Sequence, residues 1–142
     1  MPSASKQATV AMVRSLDIDP QAESRYGMTC DLAPQFQNVL GSAPDYNIDY
    51  VLAHYHEWGS YFRLSFVDDA GRLRVECGYI NDTDRRLTYG LAGKEMCVFL
   101  AYSDDDLKIG ATSGENTAMG PNEDGVFVNE TACGPLVAVR AD

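Results

Sequence analysis

From Ile48 to Ile80 the chain alternates with a period of two, and this constrains the fold more than any other feature of the sequence. In the first run Ile48, Tyr50, Leu52, His54 and His56 share one face, and Asp49, Val51, Ala53, Tyr55 and Glu57 share the other. In the second, Phe62, Leu64 and Phe66 alternate with Tyr61, Arg63, Ser65 and Val67, and Trp58-Gly59 reads as a reversal between the two runs. A third run, Arg72 to Ile80, sends Leu73, Val75, Cys77 and Tyr79 inward, after a hairpin turn at Asp68-Asp69-Ala70-Gly71. The pattern predicts a meander of three strands in which Ile48 to Val67 is the central hairpin.

Shorter segments continue the theme. Arg85 to Leu91, Met96 to Tyr102, Leu107 to Thr112, Val126 to Asn129 and Leu136 to Arg140 read as strands, and Ser113 to Gly125 as a polar, Gly-rich loop. Asp31 is a suitable N-cap for a short helix over 31–41, with Leu32, Phe36, Val39 and Leu40 on one stripe and Gly41 as its stop. The first thirty residues are undecided: Ala8 to Leu16 suits a strand or a short helix, and Pro20 ends it. No repeat or linker divides residues 1–142. The expected fold is a single all-β domain, an antiparallel sandwich or a calycin-like barrel, with one short N-terminal helix.

Charge narrows the partners. The 142 residues include 11 basic and 21 acidic side chains, a formal net charge of −10, which repels a phosphate backbone. The dense basic spots are only Arg72 with Arg74 and Arg85 with Arg86, so nucleic acid is not an expected partner. No apolar run approaches the ~18 residues of a transmembrane helix, and Met1 to Gln7 lacks the apolar core of a signal peptide. Cys30, Cys77, Cys97 and Cys133 are even in number, far apart and never in a Cys-x-x-Cys pair, which favours two structural disulfides over four buried thiols. Asn81-Asp82-Thr83 and Asn129-Glu130-Thr131 match the N-glycosylation acceptor pattern. Together these features point to a secreted protein, with a cytoplasmic one as the alternative.

The sharpest chemical feature is His54-Tyr55-His56, because imidazoles at i and i+2 on a strand point the same way and can meet one metal or one ligand. Cupins use such a pair with a following Glu and a distant third His; this chain contains only 2 His. The string Ala53-His54-Tyr55-His56-Glu57-Trp58 also resembles the Gly-His-Arg-His-Asp-Trp heart of the necrosis-inducing cytolysins of plant pathogens. His54, His56 and Trp58 are the identical positions. That resemblance implies a divalent cation held by His and acidic side chains on a β-sandwich, and it covers only these six positions of 142. Asn122-Glu123-Asp124-Gly125 lacks the flanking helices and the Glu spacing of an EF-hand, and Asp104 to Asp106 reads as a solvated acidic turn rather than part of a β-sandwich calcium site. No Gly-x-Ser-x-Gly elbow or phosphate-binding loop is present.

Aromatic rings gather around the histidines: Tyr46, Tyr50, Tyr55, Trp58 and Tyr61. Flat amphipathic rings beside polar groups suit a sugar face or a small apolar molecule. The expectation is therefore a secreted, non-catalytic binding module that takes a carbohydrate or a small polar-aromatic ligand at His54, Tyr55, His56, Trp58 and Tyr61. One alternative is a small barrel enzyme, an isomerase or cyclase, with His54 and His56 in a central cavity. Another is a secreted effector that meets a protein partner through its surface. No cofactor is implied. The burial of the two histidines separates the first two readings.

Overall fold

The protein is described by a computed structural model over residues 7–43, 47–67, 71–103 and 107–140. The turn residues Asp68 to Ala70, Tyr46 and Asp104 to Asp106 lie outside the described residues. In chain order the strands are β1 (Gln7–Met12), β2 (Asp17–Ile18), β3 (Ala22–Asp31), β4 (Ile48–His54), β5 (Gly59–Phe66), β6 (Arg72–Asn81), β7 (Leu87–Thr88), β8 (Val98–Ser103), β9 (Leu107–Pro121) and β10 (Phe127–Arg140). One helical segment joins β3 to β4, an α-helical turn at Ala33–Gln35 that runs into a π-helical turn at Phe36–Leu40. Its stop at Gly41 is the one the sequence marks, whereas its N-cap is Leu32 and the expected cap, Asp31, ends β3. Asp31 Oδ1 accepts from the Ala33 N–H at 3.1 Å, and Gly41 closes it at φ 67.

Eight strands form one nearly closed, barrel-like sheet in the order β4-β8-β1-β9-β10-β3-β6-β5, and β2 with β7 form a separate two-stranded ribbon. The all-β expectation holds, in its barrel form. Its wiring differs from the expected meander in three ways. First, β4 and β5 do not pair with each other: β4 pairs with β8, β5 with β6, and the two strands are the opposite edges of the sheet. Second, β1 with β9 and β3 with β10 are parallel pairs, so the sheet is mixed rather than antiparallel throughout. Third, most of the expected loop 113–125 is strand: β9 runs on to Pro121 and returns as β10 through a tight turn at 122–126. There Asn122 Oδ1 accepts from the Asp124 and Val126 N–H groups at 2.9 and 3.0 Å, so its carboxamide serves the turn.

The inward faces fill the barrel with side chains. Tyr26, Met28, Val75, Tyr79, Phe99 and Ile109 are buried, and Tyr26 meets Tyr79 edge to face at 6.2 Å. Tyr26 donates its hydroxyl proton to the Asp17 carbonyl at 2.7 Å, which ties the β2–β7 ribbon to the barrel body. Both disulfides form, Cys30–Cys133 and Cys77–Cys97. The second has structural leverage, because Cys97 immediately precedes β8, the second strand of the sheet, whereas Cys77 lies on β6, the seventh. Phe62 of β5 and Phe99 of β8 meet across the same gap, with ring centroids 6.2 Å apart. Closure of the barrel thus rests on side chains where the backbone ladder is missing.

Burial also governs the tyrosines. Desolvation pushes the Tyr26 phenol up to about 12, and desolvation followed by its bond to Glu76 does the same for Tyr61. Tyr79 moves in the same direction, through burial first and the Glu95 charge second. An acid whose pKa is raised by folding holds its proton longer in the native state. Stability is therefore full below about pH 10 and falls as pH climbs toward 12. Phenolate absorbance should rise in two stages, the second coinciding with loss of the native circular dichroism signal. A single stage near pH 10 in the folded protein would contradict this burial.

Candidate functional site

The seam between β4 and β5 carries the chemical residues that stand out in the sequence. Six of the seven β4 residues, Asp49 to His54, are exposed, because an edge strand with a neighbour on one side only leaves both its faces wet. At its end the chain crosses to β5 through Tyr55 to Trp58, and this crossing is held by a residue that no sequence motif marks. Glu95 is 0% exposed, and its carboxylate accepts the His56 N–H at 2.7 Å, the Trp58 N–H at 2.9 Å and the Met96 N–H at 3.0 Å. A buried carboxylate needs such donors, and three convergent amides supply them. Trp58 in turn accepts the Ile80 N–H at its carbonyl, 2.9 Å away, which joins the crossing to β6.

This scaffold fixes the two imidazoles. His54, the last residue of β4, and His56, past the end of the strand, stand edge to face with centroids 5.2 Å apart, so the two rings meet without sharing the strand face that their spacing predicts. His56 Nδ1 lies 2.7 Å from the Lys94 carbonyl. A carbonyl only accepts, so Nδ1 carries a proton, and Nε2 is the ring nitrogen left for another partner. Neither histidine belongs to the packed interior: His54 is exposed and His56 half-buried. Among the described residues no three His, Cys, Asp or Glu side chains are placed to share a metal ion.

His56, Glu57 and Trp58 form one wall of an open depression of about 360 Å³, and Leu91 to Lys94 form the other. Trp58 is half-buried, with the Arg85 guanidinium 5.3 Å from its ring centroid. Arg85 is itself positioned by a bond from Nη1 to the Gly93 carbonyl at 2.5 Å. Leu91, on the rim, is 76% exposed. The depression therefore combines an imidazole, an indole flanked by a cation and an uncovered aliphatic side chain.

The other two candidate ligand-binding residues divide between this site and a separate one. Tyr55 stays at the crossing, its ring lying on the backbone of Gly59, where a Cβ would stand 1.9 Å from Tyr55 Cδ2. Tyr61 sits instead in a polar cluster on the outside of β3, β5 and β6. Its hydroxyl donates to Glu76, and Arg25 lies 5.8 Å from its ring centroid. Arg74 extends that cluster with a two-pronged bond to Glu130, at 2.6 and 2.9 Å.

Asn81 and Asn129 do not present their amides to solvent. Asn81 is 1% exposed; its Nδ2 donates to the Asp19 and Arg85 carbonyls, and its Oδ1 accepts from the Thr83 N–H and hydroxyl. Asn129 is 8% exposed and bonded to Asn116. A glycan on either would displace bonds inside the folded chain. Among the described residues no helix is long and apolar enough to cross a membrane.

Comparison with protein-family models, with curated proteins and with solved structures returns no match to this chain. Geometry and chemistry alone carry the functional reading.

Proposed function

We propose that the protein is an extracellular, non-catalytic binding domain whose ligand, a carbohydrate or a similarly small molecule with one flat apolar face, rests in the seam depression. The observation that carries this reading is the position of Trp58. It is half-buried and backed by Arg85, and it stands beside His56 and the exposed Leu91 at an open concavity rather than inside the core. An indole face fits the C–H face of a pyranose, and His56 Nε2 and the Lys94 side chain supply hydrogen-bonding partners at the site. Of the expected alternatives, a central-cavity enzyme is less well supported, because both histidines lie outside an interior occupied by Tyr26, Tyr79 and Phe99. Two disulfides tying together strands distant in sequence favour an oxidising compartment.

Trp58 is the only tryptophan in the chain, so its fluorescence reports on this site alone. Titration with a panel of neutral oligosaccharides should give a saturable emission change with at least one of them. Trp58→Ala, followed by calorimetry, should weaken that binding by at least about tenfold. A folded protein whose emission responds to none of the panel, or whose binding survives in Trp58→Ala, overturns the reading.

A further inference from the structure

The segment that lines the seam depression through Leu91 to Lys94 lines a second, larger cleft through Thr88 and Tyr89. This cleft has a volume of about 650 Å³ and opens between the end of β1 and the middle of β9. Its lining runs against the character of the molecule. The chain carries 21 acidic residues against 11 basic ones, yet among the described residues no carboxylate lines this cleft and one arginine does. Arg25, Arg74 and Arg86 are each engaged with a carboxylate. Arg14 pairs with no carboxylate among the described residues: its side chain is exposed, and its guanidinium lies 5.7 Å from the centroid of the Tyr89 ring. A guanidinium stacked on an aromatic face keeps its N–H edge free for an oxygen ligand.

Hydrogen bonding around Arg14 holds its backbone in place and leaves donors over. Ser113 Oγ accepts the Arg14 N–H at 2.7 Å and the Ser15 N–H at 3.1 Å, which clamps the chain leaving β1 onto β9. The Ser15 hydroxyl also donates to Ser113 Oγ at 3.1 Å, so its own proton is used in the clamp. The Ser15 oxygen keeps its lone pairs as an acceptor for a ligand hydroxyl. Thr112 Oγ1 is buried at the cleft without a hydrogen-bond partner among the described residues. Tyr89 is steadied from below by its hydroxyl bond to Met12 Sδ at 3.6 Å. One cation, one aromatic platform and the Ser15 oxygen thus line a single open space, with Thr112 Oγ1 buried at its wall.

We propose that this cleft is a second binding site, for a small acidic polyol. The ligand is a sugar unit bearing a carboxylate or a sulfate, with Arg14 taking the anionic oxygens and the Ser15 oxygen accepting from a ring hydroxyl. A focused positive charge inside an acidic surface selects such a ligand over larger polyanions, which the rest of the molecule repels. The inference does not rest on the reading of the seam, because it uses neither histidine nor Trp58.

The test is side-chain Nε–Hε NMR of the arginines in the intact, oxidised protein, titrated separately with glucuronic acid, glucose 6-sulfate, glucose and inorganic sulfate. The Arg14 resonance, assigned by its absence in Arg14→Gln, should move saturably with one or both acidic sugars. Arg14→Gln should weaken that binding by at least about tenfold, and Arg14→Lys, which keeps the charge but not the planar stack, by less. Response to one acid and not the other identifies the anionic group. Trp58→Ala should leave the titration unchanged, which separates this site from the seam. The proposal is overturned if no acid moves the Arg14 signal, if glucose or inorganic sulfate binds as well as the acidic sugars, or if Arg14→Gln binds them undiminished. The Arg14 side chain is exposed and its structural bond is made by the backbone, so both variants should fold.

Discussion

The double variant Cys30→Ala/Cys133→Ala is expected to lose about 4–5 kcal/mol of stability. The bond joins residues 103 apart in sequence, so it closes nearly the whole chain into a loop and removes a corresponding share of the unfolded chain's freedom. Against the ~5–15 kcal/mol that holds a typical domain together, such a loss leaves little margin at physiological temperature. The Cys77–Cys97 bond spans only 20 residues, for which the same reasoning gives about 3 kcal/mol. Guanidinium unfolding of both double variants under non-reducing conditions compares them directly. If the shorter loop proves the costlier loss, closure of the barrel between β6 and β8 outweighs chain entropy as the reason for these cysteines.

Glu95→Ala is expected to follow closely, with a loss of about 3–5 kcal/mol. It would orphan the N–H groups of His56, Trp58 and Met96 in a place where water does not reach the carboxylate they now share. Each stranded buried donor costs about 1–3 kcal/mol. Glu95→Gln should fall between wild type and Ala. Its one carbonyl oxygen can serve some of these amides, while its NH₂ group turns a donor toward another donor. Thermal unfolding of the two variants tests the ordering, and the Trp58 emission should shift toward that of a solvated indole in Glu95→Ala even below the transition. A Glu95→Ala protein within about 1 kcal/mol of wild type would mean that the crossing is held by other contacts.

Periodicity reveals strands far better than it reveals partners. The alternation in β6 and β8 is plain, because buried residues there take turns with more accessible ones, whereas in β5 Phe66 is exposed although Phe62 and Leu64 pack on the core. The pairing of β4 is not, since Ile48 to His54 matches β5 or β8 equally well on pattern, and the partner it takes lies about fifty residues away. β3 is hidden in the undecided first thirty residues although Ser24, Tyr26, Met28 and Cys30 alternate inward, since Gly27 and the charged residues between them dilute the signal. Residues 113–121 read as loop because they are small and polar. Their strand conformation comes from the ladder with β10, which side-chain character does not encode.

The candidate site is legible only in part. The clustering of His54, His56 and Trp58 follows from spacing. Glu95 does not, as an acid after Ala92-Gly93-Lys94 has the look of a solvated turn and gives no sign of the three amides that surround it. Arg14 is equally unmarked. Its significance lies in having no carboxylate beside it among the described residues, a property of the folded surface.

The one-sided pairing of β4 has a kinetic consequence. Supported by β8 alone and exposed along Asp49 to His54, this strand can detach without dismantling the core, so its amides should exchange with solvent at a cost well below that of global unfolding. The two histidines flank the end of that strand, and the more deeply anchored Glu95 holds the crossing just beyond it. The crossing that walls the depression is thus anchored where the strand leading into it is not. The amides of β4 should therefore exchange faster than those of His56 and Trp58, which Glu95 holds.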